Sequence, residues 1–473
     1  MDLHVSLVGR RDVTGQIYEQ IRDAIVDGTL RPGDRLPPSR ELAQRLSVSR
    51  TTVMVAYDRL TGEGFLTSLV GAGTFVSDDV AISPPGTHAP EGALRPRPVW
   101  STVSMPFTPA AGARYDLRCG LPDFSRFPYE SWRRLTAGEL RLGGVGRAMY
   151  GEPAGHPALR AAIARHIGLS RAVRATADDI VVTNGFQQAI DVIARVLLEP
   201  GDRFAVEDPG YPPPRGLLST MGMDVVAVPV DDEGIVVDAI PAGVRAVLVT
   251  PSHQFPLGHT MSLRRRVALL RWAEREDAAI VEDDYDSEFR FGGRPIEPLQ
   301  RLDGSGRVLY TGSFSKTMLP SLRLGFIVTP ASLRPALRAA KYAADWSTST
   351  PQQLALARFI DRGWFARHLR AMRSVYRQRH ELIASLLRNE LGSVFKTIPS
   401  DAGLHLSALA PGMSPEDAAA AIRGAAADGV VAFALASFGQ LEPRPVGVVI
   451  GYGAVQLADV PEALTLLGRR FGA

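Results

Sequence analysis

The chain has 473 residues, 45% of them hydrophobic and 22% charged, and a formal net charge of +3. This length exceeds what one ordinary hydrophobic core supports and predicts two or three domains, and the composition excludes a collagen-like or intrinsically disordered protein. The small net charge does not by itself indicate a nucleic-acid partner.

The chain carries a single cysteine, Cys119, so an intramolecular disulfide is excluded and a reducing compartment is favoured. The N-terminal sequence MDLHVSLVGRRDVTGQ has no apolar core followed by a small-residue cleavage site, which argues against a secretory signal. No window approaches the roughly 18 apolar residues of a membrane-spanning helix. These features predict a soluble, cytoplasmic protein without a membrane partner.

Residues 1–78 carry the pattern of a small winged domain. Thr14 is the predicted cap of a first helix that ends before Gly28, a second helix is predicted to open at Ser39, and Ser49 is the predicted cap of a third. Apolar residues at helical spacing predict the buried faces of these helices, which are Ile17, Ile21, Ala24 and Ile25, then Leu42 and Leu46, then Val53, Tyr57 and Leu60.

A β-hairpin is predicted over residues 65–76, with Gly71 and Gly73 at its tip. Three helices and a hairpin are sufficient for a winged helix-turn-helix. Residues 79–108 follow with six prolines among small and polar residues. This composition is typical of an extended, semi-rigid linker.

Strand-like and helix-like segments alternate from residue 109 to residue 473, which predicts an α/β domain with a mainly parallel sheet. From about Ala331 the pattern becomes more helical and predicts a smaller C-terminal lobe. The apolar runs that predict strands include 180–183, 246–250, 278–281, 308–311 and 324–329.

Polar and basic residues cluster around the predicted third helix. Residues 49–52 fall in its first turn, where free N–H groups and the helix dipole attract phosphate and side chains can face base edges. Because residues 1–78 hold nine arginines and ten acidic residues, only local clustering of arginine, and not net charge, supports contact with DNA. The candidate DNA-contacting residues are Arg35, Arg40, Ser49, Arg50, Thr51, Thr52 and Gly73.

The segment from Arg31 to Val76 resembles the winged helix of GntR-type bacterial regulators along its whole length. The resemblance implies a domain that binds double-stranded DNA, usually as a dimer on paired half-sites. A winged helix used for protein contact, with solvated arginines, is the alternative.

Of the 53 basic residues only three are lysines, Lys316, Lys341 and Lys396. Arginine cannot form an imine, whereas the pKa of a lysine amine can be lowered so that it does. Because this chain uses arginine for nearly all its basic positions, each lysine is a candidate for a chemical role. Lys316 lies in TGSFSKTMLPSLRLGFIV, between two predicted strands. Lys341 and Lys396 lack a phosphate-binding or carboxylate-binding motif and are predicted to be solvated charges.

The surroundings of Lys316 predict an anion-binding shell, which a Schiff-base lysine needs when its partner aldehyde carries a phosphate. Two serines precede the lysine, and an arginine follows it seven residues later. The guanidinium of an arginine can donate two parallel hydrogen bonds to a phosphate. Upstream, TNGFQQAI follows a predicted strand and opens a helix whose N–H groups can face the same phosphate. The predicted phosphate contacts are Gly185, Phe186, Gln187, Ser313, Ser315 and Arg323.

Two further segments offer contacts to a pyridine ring. In VEDDYDSEF, Asp283 follows a predicted strand and can keep a pyridinium nitrogen protonated, and Tyr285 can reach a phenolic oxygen. Tyr211, in EDPGYP, can stack on the ring. An acidic run can also be purely structural, and no metal site is predicted, because no histidine or second carboxylate cluster lies nearby at ligand spacing.

In this order and at these separations, the four motifs resemble those of fold-type I pyridoxal-phosphate enzymes, the aminotransferase family, over roughly residues 110–473. The resemblance implies pyridoxal 5'-phosphate (PLP) held as a Schiff base on Lys316. In TPSHQFPLG, His253 is the candidate for a ring contact that the family gives to asparagine, with an ordinary loop histidine as the alternative. Tyr150 matches a family tyrosine that reaches the phosphate of the neighbouring subunit, with ordinary packing as the alternative.

A GntR-like winged helix joined by a proline-rich linker to an aminotransferase-like domain is the architecture of the MocR subfamily, which the full chain resembles. The resemblance implies a homodimeric transcription regulator that senses an amine, an amino acid or PLP itself, without a physiological enzymatic role. The alternatives are an active aminotransferase with an accessory winged helix and a regulator that has lost its cofactor. Against the aminotransferase, the C-terminal region offers only Arg444, without a motif, for a substrate carboxylate.

Overall fold

The computed structural model describes most of the chain, namely residues 5–7, 9, 12–69, 71–78, 94–103, 113–141, 150–292 and 297–473. Among these residues, no helix combines the length and the apolar character that crossing a membrane requires.

The chain forms two compact units, residues 1–96 and residues 97–473. Most of the predicted linker, 79–108, falls outside the described residues. Its described part, 94–103, contains a short 3-10 turn at Pro98–Thr102.

The first unit contains the three helices and the hairpin that its sequence predicts. They are α1 (Val13–Val26), α2 (Ser39–Leu46), α3 (Arg50–Gly62), β1 (Leu66–Leu69) and β2 (Gly73–Val76). The two strands are antiparallel, with Leu66 opposite Val76. The apolar faces of the helices meet the hairpin in one core that includes Ile17, Ile21, Ile25, Leu42, Val53, Leu60, Leu66 and Val76.

Side chains cap two of these helices. Ser49 caps α3 as predicted, and its hydroxyl accepts a hydrogen bond from the backbone N–H of Thr52 at 3.1 Å. The prediction for α1 was wrong, because its cap is Asp12 and Thr14 lies inside the first turn. The Asp12 carboxylate accepts from the N–H of Gly15 at 3.1 Å, and its negative charge also interacts favourably with the helix dipole.

The second unit is built on an eight-stranded sheet. In chain order its strands and the short strand before them are β3 (Tyr115–Asp116), β4 (Ile180–Thr183), β5 (Arg203–Asp208), β6 (Asp224–Asp231), β7 (Gly234–Ile235), β8 (Val244–Val249), β9 (Ala279–Asp284), β10 (Val308–Ser313) and β11 (Gly325–Val328). The sheet order is β4-β11-β10-β9-β8-β5-β6-β7, and β3 lies outside it.

Helices alternate with these strands and continue beyond them. They are α4 (Tyr129–Glu139), α5 (Pro157–Arg171), α6 (Phe186–Leu197), α7 (Pro213–Thr220), α8 (Leu263–Arg275), α9 (Leu299–Leu302), α10 (Arg334–Asp345), α11 (Thr350–Asp361), α12 (Trp364–Asn389), α13 (Pro415–Ala427) and α14 (Val460–Phe471). The segment after Ala331 also holds β12 (Lys396–Thr397), β13 (His405–Leu409), β14 (Val430–Val431), β15 (Phe433–Ala434) and β16 (Gly447–Gly451). This smaller lobe carries a four-stranded sheet in the order β12-β13-β16-β15, while β14 pairs with β3.

The large sheet is mainly parallel, as the alternating pattern predicts. Strands β6, β5, β8, β9 and β10 run in one direction. Strand β11 is antiparallel to both β10 and β4, so β4 runs in the same direction as β10. The carboxyl ends of β4, β9 and β10 therefore lie at one edge of the sheet, which is the edge where open α/β sheets bind ligands.

The cap of α3 gives a test of the first unit. We expect Ser49→Ala to destabilise this helix by about 1 kcal/mol, because an N–H in its first turn loses its side-chain acceptor. Hydrogen exchange at the amides of α3 in the full chain measures the change. Thr51→Ala, at an exposed position in the same turn that does not cap the helix, is the control, and equal protection in the two variants would contradict the assignment.

Candidate cofactor site and nucleic-acid interface

Lys316 lies just after β10, in the turn that leads to β11. Its Nζ donates a hydrogen bond to the carbonyl oxygen of Gly120 at 2.7 Å. A Cβ built on Gly120 would lie 2.7 Å from this nitrogen, so glycine leaves room for the amine. Burial lowers the pKa of Lys316, which favours the neutral amine that attacks an aldehyde.

The phosphate contacts predicted from the sequence meet beyond β4. Gly185 precedes α6 with a φ of 82°, and no side chain of the described residues caps this helix, so the N–H groups of Phe186 and Gln187 face an open end. Arg323 donates from Nη2 to the carbonyl oxygen of Asn184 at 2.7 Å. A Cβ built on Gly185 would lie 2.8 Å from the same nitrogen, so the guanidinium lies directly against this backbone.

The two serines lie in the turn that leads from β10 to Lys316. The hydroxyl of Ser313 donates to the hydroxyl of Ser315 at 2.9 Å and accepts from its backbone N–H at 3.1 Å. In the sheet, Gly325 of β11 is the partner of both Ser313 and Thr183. The serine turn and the end of β4 are therefore two strand spacings of about 4.8 Å apart, with β11 between them.

Asp283 lies in β9, beside Thr311 of β10, and only 5% of its surface is exposed. Among the described residues, its Oδ1 has no hydrogen-bond partner. Burial and the neighbouring Asp284 raise the pKa of Asp283 well above its usual range, and Lys316 acts in the opposite direction. A cation held against this carboxylate would offset the burial and keep the carboxylate ionised.

Asp284, the next residue, points to the other side of the sheet and has its own partners. It pairs with Arg171 at 2.8 Å and accepts from the hydroxyl of Tyr310 at 2.5 Å. The two carboxylates differ in their ion pairs, because Oδ2 of Asp284 is paired with a cation and Asp283 has no ion pair among the described residues, while Oδ1 of each lacks a hydrogen-bond partner.

Tyr211 lies on the loop after β5, where its ring can cover a planar ligand. Its ring centroid is 6.1 Å from that of Phe186 and 5.6 Å from that of Phe255. Burial raises the pKa of Tyr211, and the charge of Asp283 acts in the same direction.

These groups together fit PLP. Asp283 offers a buried, unpartnered acceptor for a protonated ring nitrogen. Gly185 and the uncapped start of α6 offer a cradle for phosphate, which a Cβ at that position would crowd. Lys316 offers a partly buried amine for the aldehyde.

His253 is the centre of a buried hydrogen-bond network, not a solvated loop histidine. Its Nδ1 lies 3.0 Å from the carboxylate of Asp286 and 3.0 Å from the hydroxyl of Tyr285, and its Nε2 lies 3.0 Å from the hydroxyl of Ser400. Tyr285 also donates to the His253 carbonyl oxygen at 2.9 Å. The network fixes the orientation of both rings beside Asp283.

A histidine–carboxylate cluster that sequence spacing did not indicate lies in the same place. Among the described residues, ligand atoms of His253, Asp286 and His405 all lie within 4.8 Å of one another. His405 donates from Nε2 to the carbonyl oxygen of Pro256 at 3.0 Å, and burial holds its pKa well below the usual range. Each of the three side chains also has a hydrogen-bond partner within the protein.

The prediction that Lys341 is a solvated charge was wrong. Lys341 is fully buried in α10, where it forms an ion pair with Asp345, and burial lowers its pKa. It shares the buried face of this helix with Leu337, one turn earlier. Lys396, in contrast, is exposed on β12 as predicted.

Tyr150 and Arg444 lie at the surface. The ring of Tyr150 is 78% exposed and stacks on Trp346, just after α10, with centroids 4.5 Å apart. Arg444 pairs with Glu442 at 2.8 Å and its side chain is 42% exposed, so the one arginine that the sequence offered for a substrate carboxylate has a local partner.

Sequence reasoning missed several residues of this site. Asp286 lies within the acidic run that was recognised, but its pairing with His253 depends on the fold. Ser400, His405 and Asp345 lie outside every motif, and Asn184 lies within TNGFQQAI but was not singled out as a contact.

The candidate DNA contacts lie on two surfaces of the first unit. At the start of α3, Ser49, Arg50 and Thr51 are exposed, and Arg50 donates from Nε to the Ser39 hydroxyl at 3.4 Å. Thr52 is partly covered, because its hydroxyl lies 2.7 Å from that of Ser49. This end of the helix presents short polar side chains and one guanidinium.

The wing carries the second surface. A Cβ built on Gly73 would lie 3.0 Å from Nε of Arg35, so the arginine lies along the hairpin. Arg40 lies outside the wing and is exposed on α2. Arg45, on the same helix, pairs with Glu41.

Replacing the amine at position 316 gives a direct test of the cofactor site. We expect Lys316→Ala to abolish covalent attachment of PLP, because the two other lysines of the chain lie elsewhere, Lys341 in α10 paired with Asp345 and Lys396 exposed on β12. Borohydride treatment followed by peptide mass spectrometry, together with the visible spectrum, measures attachment. Lys396→Ala, which removes an exposed lysine, is the matched control, and a modified peptide or an unchanged spectrum in Lys316→Ala would refute the assignment.

Two family models match the chain. The model described as "Bacterial regulatory proteins, gntR family" matches residues 13–76, and that described as "Aminotransferase class I and II" matches residues 120–444. Kynurenine aminotransferase of Pyrococcus horikoshii is a similar solved structure, with a TM-score of 0.70 and 26% identity over 76% of this chain and 91% of its own. An alpha-aminoadipate aminotransferase of Thermus thermophilus is similar at 27% identity, with a TM-score of 0.69 over 76% of this chain and 92% of its own.

Relatives that span both units are regulators. The chain is 37% identical over 461 residues to a probable rhizopine catabolism regulatory protein, MocR, of Rhizobium meliloti, covering 96% of this chain and 93% of the relative. It is 31% identical to the pyridoxine biosynthesis regulator PdxR of Corynebacterium glutamicum, covering 95% and 96%. These matches favour a regulator over an active aminotransferase with an accessory domain. The chain therefore belongs to the MocR-type regulators of the gntR family, in which a DNA-binding winged helix is joined to an aminotransferase-like domain that binds PLP.

Proposed function

We propose that this regulator is a cytoplasmic homodimer that senses a small amine, an amino acid or PLP itself at Lys316 and changes its binding to paired DNA half-sites in response. The observation that carries the proposal is the buried carboxylate of Asp283, whose Oδ1 has no partner among the described residues and on which the charge of Lys316 acts. The same chain carries a winged helix whose third helix is capped by Ser49. A relative named for pyridoxine biosynthesis supports PLP among the candidate effectors.

Different residues of this site would bind different parts of PLP. When bound, PLP supplies an aldehyde, a phosphate and a ring nitrogen that can hold a proton. Asp283 would accept a hydrogen bond from that nitrogen and keep its proton in place. Gly185 and Arg323 would hold the phosphate, and the lowered pKa of Lys316 makes its amine available at lower pH than that of a free lysine.

Apolar side chains close one side of this pocket. Phe255, Leu435, Phe438 and Val449 are buried in one cluster against which Tyr211 and Tyr285 pack. They exclude water from the neighbourhood of the Lys316 amine, and a drier site strengthens the polar contacts of Lys316 and Asp283. An amine effector that took the aldehyde would leave Lys316 as the free amine, which is the form that donates to the carbonyl oxygen of Gly120.

The homodimer is supported by the exposed aromatic pair of Tyr150 and Trp346. A large, stacked and exposed aromatic surface is typical of a protein–protein interface. Tyr150 also matches a family tyrosine that completes the phosphate site of the neighbouring subunit. Two winged helices in one dimer would contact two half-sites, and their spacing is the property that an effector can bias.

A DNA-binding assay tests the sensing role. The operator is selected from random DNA with the PLP-loaded protein, and its Kd is measured with apo protein, with PLP and with a panel of amines. We expect at least one ligand to shift the Kd about fivefold or more, the usual size of allosteric coupling. Lys316→Ala is expected to bind DNA without this response, and a wild-type Kd that no ligand changes would contradict the proposal.

Tyr150→Phe and Tyr150→Ala test the subunit contribution. If Tyr150 reaches the partner's phosphate, both variants weaken PLP binding, by about tenfold for the loss of one charge-assisted hydrogen bond. The side chain is 78% exposed in its own chain, so a monomer would bind PLP equally well after the change. Sedimentation velocity and PLP titration of apo protein decide between the two outcomes, with Tyr129→Ala, which replaces an exposed tyrosine of α4, as the control.

A further inference from the structure

A polar network lies behind the phosphate-binding turn of residues 184–187, which we call the phosphate loop. Its centre is Asp345, the last residue of α10. Lys341, one turn earlier on the same helix, donates to Oδ1 of this carboxylate and has no exposed surface. This pair lies outside every motif that the cofactor resemblance covers.

The second carboxylate oxygen of Asp345 binds two side chains, one from the phosphate loop and one from α6, the helix that starts in this loop. Oδ2 accepts a hydrogen bond from the amide nitrogen of Asn184 and another from Nε2 of Gln188 at 2.7 Å. The oxygen of the Gln188 amide accepts in turn from the backbone N–H of Asn184 at 2.7 Å. Asn184 is therefore fixed through both its side chain and its backbone.

The same residue orients the phosphate-binding arginine. The carbonyl oxygen of Asn184 accepts from Nη2 of Arg323 at 2.7 Å. Next in the chain, Gly185 shapes the cradle, and Thr183 donates to the Gly185 carbonyl oxygen at 3.0 Å. A chain of direct hydrogen bonds thus connects Asp345 to the guanidinium that faces the phosphate.

Electrostatics explain why the carboxylate has a cationic partner. An unpaired negative charge behind a phosphate site would repel the phosphate, and the partly buried carboxylate of Asp345 would be costly to leave unpaired. Lys341 neutralises it while leaving Oδ2 free to accept from Asn184 and Gln188. A lysine is suited to this position because its ammonium is compact and delivers the charge to one oxygen.

We propose that Asp345, neutralised by Lys341, is a positioning residue that holds the phosphate loop and Arg323 in the geometry that selects the phosphorylated form of the cofactor. The proposal rests on PLP binding at Lys316. It adds a specific role for α10, whose C-terminal end connects the phosphate loop to the exposed Trp346–Tyr150 pair.

The test compares two ligands that differ only in the phosphate. Apo protein is titrated with PLP and with pyridoxal, and the ratio of the two Kd values reports how well the phosphate loop is formed. The double variant Lys341→Met/Asp345→Ala removes the network without changing the net charge. We expect its Kd for PLP to rise about tenfold, equal to about 1.4 kcal/mol, while its Kd for pyridoxal changes less than about twofold.

Two further variants separate positioning from general destabilisation. Gln188→Leu removes one link of the network at a partly exposed position, and we expect a smaller loss of the same selectivity. Arg358→Met/Glu139→Ala removes another ion pair, between α11 and α4, with a buried carboxylate and a 2.6 Å contact. This control is expected to lower the melting temperature and to leave the ratio of the PLP and pyridoxal Kd values unchanged.

The outcomes are distinct from those of the sensing proposal, because no DNA is present. Full retention of the preference for PLP in both network variants would overturn the role of Asp345, and so would a parallel loss of PLP and pyridoxal binding. A wild-type protein that binds the two ligands equally would overturn the phosphate-loop assignment itself. A wild-type protein that prefers PLP but does not change its DNA affinity would leave the positioning role intact and refute only the sensing function.

Discussion

The buried carboxylate of Asp283 is the constraint around which the cofactor pocket is arranged. Its Oδ1 has no hydrogen-bond partner among the described residues, and leaving a buried acceptor unsatisfied costs about 1–3 kcal/mol. On the same strand, Oδ2 of Asp284 is paired with Arg171 and Tyr310, although its Oδ1 also lacks a hydrogen-bond partner. Asp283 has no such cation among the described residues, so its face of β9 can accept one.

The fold places the remaining pocket groups around that carboxylate by strand direction. Strands β4, β9 and β10 end at one edge, so the start of α6, the acidic segment and the lysine turn converge although they are far apart in sequence. Gly120 approaches from a separate segment and holds the lysine amine through its carbonyl oxygen. The small lobe contributes Ser400, which contacts His253, and closes the pocket with apolar side chains.

Lysine usage in this chain has a physical explanation at each position. Lys316 is needed because only a primary amine can condense with an aldehyde. Lys341 is buried and delivers its charge to a single carboxylate behind the phosphate loop. Lys396 is exposed and has no such requirement. The scarcity of lysine drew attention to all three, but only the motif around Lys316 indicated a chemistry, and the burial of Lys341 was not predicted.

The sequence by itself determined the two-part organisation and the mainly parallel sheet, and it supplied the set of candidate cofactor contacts, because each depends on local patterns. Alternating apolar runs specify strands and helices, and glycine, serine and lysine at fixed spacing specify a turn that binds phosphate. The cap of α1, the burial of Lys341 and the network around His253 were decided only by the tertiary structure. In these cases the partner comes from an element distant in the chain, or two local side chains compete for one N–H, and no periodicity in the sequence records which contact forms.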